Sequence, residues 1–250
     1  MQEKFDTVTV NFDDETGVGY LTLNRPDSLN ALSSQLREDV VGGLRALNGL
    51  NDEGIDMRVV VIEGAGGNFS AGADINEFSD REPTTDVDRT HFEFIMDYPV
   101  PVIAKIRGYC LGGGLETAMS CDLRFASEDA SLGLPEVDLG IIPGAGGVQF
   151  VSRLANPAIA KEIAMTGEHI SAKRAAEIGI VNHVYDEDEL DDAVEEFAET
   201  VAAKPPLSVQ AIKESGNSAT QLGLREGLAY DRKLADPLFE TEDHEKGARA

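Results

Sequence analysis

Two apolar runs, Val59-Val60-Val61-Ile62 and Val102-Ile103-Ala104-Lys105-Ile106, constrain the fold of this chain most. The first, entered at Arg58, is a continuous β-branched stretch with no polar face. Such a stretch reads as a strand buried on both sides, which needs cover above and below. The second reads as another buried strand. Each runs into a glycine-rich crossing, Glu63–Ile75 after the first and Tyr109–Glu116 after the second. Strands alternating with helical patterns point to an α/β chain. Two adjacent strands that end in bare backbone can each aim one N–H at the same point. Two donors on one oxygen stabilise a developing oxyanion.

The second crossing, Tyr109-Cys110-Leu111-Gly112-Gly113-Gly114-Leu115-Glu116, leads into the small-residue stretch Thr117-Ala118-Met119-Ser120-Cys121, which reads as a buried helix. The first N–H groups of a helix have no partner inside it, and the helix dipole adds positive charge there. Three glycines leave those groups unshielded, a setting for a carbonyl oxygen that becomes an enolate. Glu116 lies three residues past Gly113, about one turn on, so its carboxylate shares a side with that amide. Taken alone it is a helix-start acid that suits the dipole. Glu136 follows Pro135 at a strand end, where a Glu is usually idle. Here the apolar, glycine-rich run Val137–Gly147 follows it. A carboxylate in such surroundings has a raised pKa, suited to proton transfer near neutrality.

The rest of the chain frames these stretches. Residues 7–12 and 18–23 read as a hairpin, and Ser33 as the cap of a helix with an apolar stripe at Leu36, Val40, Leu44 and Leu47. Residues 79–85 read as mobile and 86–97 as a helix. Residues 122–126 and 130–134 read as a strand pair. Residues 158–166 and 172–177 read as helices and 180–185 as a last strand. The tail reads as helices over roughly 188–203, 206–216 and 220–235.

The 42% apolar share supports one core domain with an appendage. No stretch is long enough for a membrane span, and the charged start lacks an apolar leader, so a cytoplasmic location is expected. Cys110 and Cys121 read as buried thiols. His91, His169, His183 and His244 show no ligand spacing, so no metal is expected. With 46 acidic and 21 basic residues, the net charge of −25 disfavours nucleic acid and anionic membranes.

Together these residues resemble the enoyl-CoA hydratase/isomerase (crotonase) family. The similarity rests on Leu23-Asn24-Arg25-Pro26, Leu29-Asn30-Ala31-Leu32, Phe69–Ile75, Leu111–Glu116, Cys121-Asp122 and Leu134–Gly147, in order along nearly the whole chain. The resemblance implies a crotonase-like spiral of repeated β-β-α units over 1–190 carrying an acyl-CoA site. It implies a helical region over 191–250 used in homotrimers or dimers of trimers. It implies an oxyanion hole from the N–H groups of Ala73 and Gly113, with Glu116 and Glu136 as the catalytic pair. Ser28, Ala71, Asp74, Ile75 and Asn76 then fall along the CoA and thioester site, and Gly144 beside the catalytic water. The substrate is an acyl-CoA, with no cofactor beyond the CoA it carries. Glu at both positions favours hydration. A Δ3,Δ2-enoyl-CoA isomerase, another acyl-CoA lyase and a non-catalytic acyl-CoA-binding relative stay open.

Several positions depart from the family. Asp27 and Asn76 stand where many relatives carry Lys, Phe150 stands where Arg is usual, and the terminal Phe and Lys that reach CoA are not found before Ala250. Arg25 and Arg107 are the candidates to compensate.

The acidity has a further consequence. In molar salt the screening length shortens to about 3 Å, which relieves self-repulsion. Stability is therefore expected to rise with salt. Unfolding midpoints that are equal in dilute buffer and in molar salt would refute adaptation to high salt.

Overall fold

The structure is a computed structural model that describes residues 2–52, 56–77 and 90–249. The chain opens with β1 (Gln2–Lys4), β2 (Val8–Asp13) and β3 (Val18–Leu23), all antiparallel neighbours. Helix α1 (Ser34–Asp52) follows, and the Ser33 hydroxyl accepts the Leu36 N–H at 3.1 Å as its cap. Next come β4 (Val59–Gly64), α2 (His91–Met96), β5 (Val102–Ile106), β6 (Tyr109–Leu111) and α3 (Gly113–Ser120). Then come β7 (Leu123–Ser127), β8 (Ser131–Gly133), α4 (Gly147–Leu154), α5 (Pro157–Thr166), β9 (Ile170–Ser171), α6 (Ala172–Glu177) and β10 (His183–Tyr185). The last elements are α7 (Leu190–Ala202), α8 (Pro206–Ala219), α9 (Leu224–Ala235) and α10 (Glu242–Gly247).

Seven strands form one sheet in the order β1-β2-β3-β4-β5-β7-β10, parallel from β3 onward. The β-branched run divides as its alternation requires. Val60 and Ile62 join the larger core with α1, while Val59 and Val61 join a second core under Leu190, Val194 and Ala198 of α7. A smaller sheet has the order β6-β8-β9. Single bridges from Ser70 to Cys110 and from Leu32 to Ala73 extend it, so the chain coils. Each turn gives one strand to the large sheet (β3, β4, β5, β7) and one short extended segment to the small one (around 32, 70–73, 109–111 and 131–133).

This coiling corrects the expected pairing of 122–126 with 130–134. β7 lies between β5 and β10, whereas β8 pairs with β6 and β9. The chain bends at 128–130 and carries the second strand into the other sheet. Glu136 does not end a strand either. Pro135–Leu139 is a single 3-10 turn, with Pro135 in the first turn where its missing N–H costs nothing. Helix α4 and strand β1 were not foreseen. The expected helix over 86–97 is described only as α2. The stretch 79–85 and residues 86–89 lie outside the described residues.

All eight residues of α3 are buried. Its far end meets the buried guanidinium of Arg124, which donates to the carbonyls of Cys121 (2.8 Å) and Ile180 (2.6 Å). A cation there also opposes the negative end of the helix dipole. Helix α8 is tied to the body by Lys213, which reaches Asp122 at 2.8 Å and the Val100 carbonyl at 3.0 Å. Leu222, Leu224, Leu228 and Phe239 stay exposed beyond it. No helix among the described residues is long and apolar enough to cross a membrane.

One close fit between turns is at Gly114. A Cβ there would lie 2.5 Å from the Ser70 carbonyl oxygen and 2.8 Å from its Cβ. Gly114→Ala is therefore expected to destabilise the protein by about 1–3 kcal/mol. Denaturant unfolding checks this, and an unchanged midpoint contradicts it.

Candidate active site

Coiling stacks three crossings. The segment 70–74 of one turn lies against the start of α3 in the next, and the 3-10 turn bearing Glu136 follows β8 in the turn after that. The Leu32 N–H donates to Gly72 (2.8 Å) and the Asp74 N–H to Leu32 (3.2 Å), so both groups face Leu32. The Gly72 carbonyl and the Ala73 N–H share one trans peptide plane, so the Ala73 N–H points the opposite way from the carbonyl that Leu32 takes. There it meets Gly113: a Cβ on Gly113 would lie 3.6 Å from the Ala73 nitrogen. No acceptor among the described residues takes the N–H of Ala73 or of Gly113.

Gly112 introduces α3 with φ 50° and ψ −124°, a conformation that favours glycine. A Cβ there would come within 2.9 Å of Glu136 Oε1, so the carboxyl packs directly on the backbone that carries the Gly113 amide. Oε2 of Glu136 is buried with no partner among the described residues. Burial, with the neighbouring Glu116 charge as a lesser cause, pushes the Glu136 carboxyl up from 4.5 to about 7.

Glu116 is 3% exposed, and its Oε1 accepts the N–H groups of Ala145 and Gly147, each at 2.8 Å. Burial raises its pKa, and the two N–H groups work against that rise by favouring the ionised form. The two glutamates thus have contrasting surroundings, Oε1 of Glu116 met by two donors and Oε2 of Glu136 by none.

The other expected residues take different places. The Ala71 N–H donates to Leu29 (2.9 Å), joining the Ser28 loop to the Ala73 segment. Ser28, Ile75 and Asn76 are exposed on that rim, and Gly144 is exposed one residue before the Ala145 donor. Asp74 is buried, and its carboxylate is occupied by Arg25 (3.0 Å) and the Asn76 amide (2.9 Å). Burial alone would raise the Asp74 carboxyl, but these donors more than offset it and hold it below the usual range. Arg25 also donates to the Ala31 carbonyl at 2.5 Å. Arg107 is paired with Asp191 at 3.0 Å and donates to the Glu187 carbonyl at 3.1 Å. Both arginines named as compensating cations are therefore already held by internal acceptors.

Two supports were missed in the sequence. One is the donor pair Ala145 and Gly147, whose signal is the glycine run 144–147. The other is Asn30, buried at φ 54°, which donates to the Ala65 (2.9 Å) and Asn68 (2.7 Å) carbonyls and accepts the Arg25 N–H (2.9 Å). It staples two crossings together, and only the left-handed tolerance of Asn hints at this.

The family model described as enoyl-CoA hydratase/isomerase matches residues 13–250. The chain belongs to that family. Among its relatives, the short-chain-enoyl-CoA hydratase of Clostridium acetobutylicum is 37% identical over 94% of this chain and 91% of its own. The 2,3-dehydroadipyl-CoA hydratase of Escherichia coli is 36% identical over 92% and 90%. The solved enoyl-CoA hydratase subunit I of Geobacillus kaustophilus superposes with TM-score 0.91 at 38% identity, covering 99% of this chain and 95% of that one. The expected crotonase-like α/β fold is thereby established, and this family member is an enzyme.

The raised Glu136 carboxyl has a consequence for stability. Between pH 4.5 and about 7 the folded state binds more protons at this site than the unfolded chain, so its contribution falls as pH rises. Glu136→Gln removes that dependence. Its stability relative to wild type is expected to grow through this window and then level off. Denaturant unfolding at several pH values checks this, and a constant difference counts against it.

Proposed function

We propose that this family member adds water across the 2,3 double bond of a trans-2-enoyl-CoA to give a 3-hydroxyacyl-CoA. The observation that carries the reading is two unengaged amide N–H groups near one buried glutamate, Glu116, and one half-buried glutamate, Glu136, in contrasting surroundings. The thioester oxygen takes the N–H groups of Ala73 and Gly113, which polarises the carbonyl and makes Cβ electrophilic. Glu116, whose ionised form is favoured by two donors, takes a proton from water as the oxygen attacks Cβ. The electron pair moves to the thioester oxygen as an enolate. Glu136, protonated near neutrality, delivers a proton to Cα as the enolate collapses. Water is consumed and both carboxyls are restored by proton exchange, so no cofactor is required.

The rim of Ser28, Ala71, Asp74, Ile75 and Asn76 flanks the CoA thioester, Asp74 through its backbone, and Gly144 borders the water. The uncovered leucines of α9 support assembly into homotrimers or dimers of trimers.

The Δ3,Δ2-enoyl-CoA isomerase reading is favoured by one feature. Glu136 packs on Gly112 with a carboxyl near 7, and a single such group can shuttle a proton between two carbons. Crotonyl-CoA separates the two, since hydration removes the conjugated-enoyl absorbance. Glu116→Gln and Glu136→Gln are each expected to lower that rate about 10²–10⁴-fold while retaining acyl-CoA binding. Near-normal turnover in either variant removes its role. Binding without turnover by the wild type favours a non-catalytic relative.

A further inference from the structure

Beyond the two glutamates, one more buried titratable side chain reaches the amino-terminal turn of α3. His91 opens α2 and is 2% exposed. Its Nε2 lies 3.1 Å from the Thr117 hydroxyl, and that oxygen lies 2.8 Å from the Gly113 carbonyl. A carbonyl only accepts, so the single hydroxyl proton of Thr117 goes to Gly113. The hydroxyl oxygen must then accept from His91, which fixes the imidazole proton on Nε2. Nδ1 remains a buried acceptor with no donor among the described residues. Burial, followed by the charge of Arg37, pushes the imidazole down to about 3, so the ring is neutral throughout the range in which Glu136 titrates.

An apolar ring of similar size would fill this space without leaving an orphaned acceptor. What the imidazole adds is one N–H, and it ends on the hydroxyl that grips Gly113. The Gly113 N–H lies one peptide plane away from the gripped carbonyl. We propose that His91 is a positioning residue: through Thr117 it sets the orientation of the first turn of α3, and with it the direction of the Gly113 N–H, without touching substrate. This rests on the hydratase reading above.

Four variants test it. His91→Phe removes the donor and keeps a ring, and Thr117→Val removes the hydroxyl and keeps the volume. His91→Gln restores a donor near the Nε2 position, and Thr117→Ser restores the hydroxyl. In the first pair kcat is expected to fall about tenfold with KM changed by less than about twofold, and the second pair to recover most of the rate. The pH profile should keep its shape in all four, because His91 exchanges no proton with substrate. Wild-type kcat in His91→Phe, or an equal loss in His91→Gln, overturns the proposal. If His91→Phe does not fold, Thr117→Val against Thr117→Ser decides in the same way.

The amide resonance of Gly113 in the ligand-free protein is a readout independent of turnover. It should shift in the first pair and return toward wild type in the second; an unmoved resonance overturns the proposal. Absence of wild-type hydration would sink the functional reading alone, and the resonance would still decide this one.

Discussion

The amino terminus of α3, whose glycines carry no side chain, presses against the segment 70–73, the Leu32 side chain and the Glu136 carboxyl. At Gly114 a single methyl would meet the Ser70 backbone, and at Gly112 it would meet the carboxyl itself. This contact brings the backbone of Ala73 and of Gly113 together from different turns. It also desolvates the acid beside them, so donor geometry and proton affinity share one origin. Close-packed backbone yields little to strain, so the arrangement is held rigidly.

Several supports hold that contact in place. Arg124 secures the far end of α3, and Asn30 binds the crossings after β3 and β4. Arg25 holds Asp74, the residue after the Ala73 amide. Surface ion pairs contribute little, about 0–1 kcal/mol, but Arg25 and Asp74 are largely withdrawn from water and carry further hydrogen bonds. Neither Arg25 nor Arg107 is idle, so the positive charge that usually welcomes a polyanionic ligand is spent inside the molecule.

Much of this was legible in the chain. The unbroken Val59–Ile62 run required cover on both faces, and the two cores supply it. The paired glycine-rich crossings after β4 and β5 marked neighbouring strands, and these two pair in parallel. Glu116 and Glu136 stood out by their surroundings. The β7/β8 pairing was misread because local alternation says that a segment is extended and not which sheet receives it. The α4 helix was hidden by the glycines that open it. The Asn30 staple and the Arg25–Asp74 pair join positions 35 to 49 residues apart, and no local pattern records such partners. Which glutamate is met by donors was likewise settled only by where Ala145 and Gly147 fall in space.

The coil has an architectural consequence. Ala73, Gly113 and Glu136 come from successive turns, so their separation follows from the pitch of the winding and not from the length of any one connection. Outer connections can lengthen, shorten or change composition while these three groups keep their spacing. The winding thus separates what fixes the spacing of these three groups from what sets the length and composition of the connections outside it.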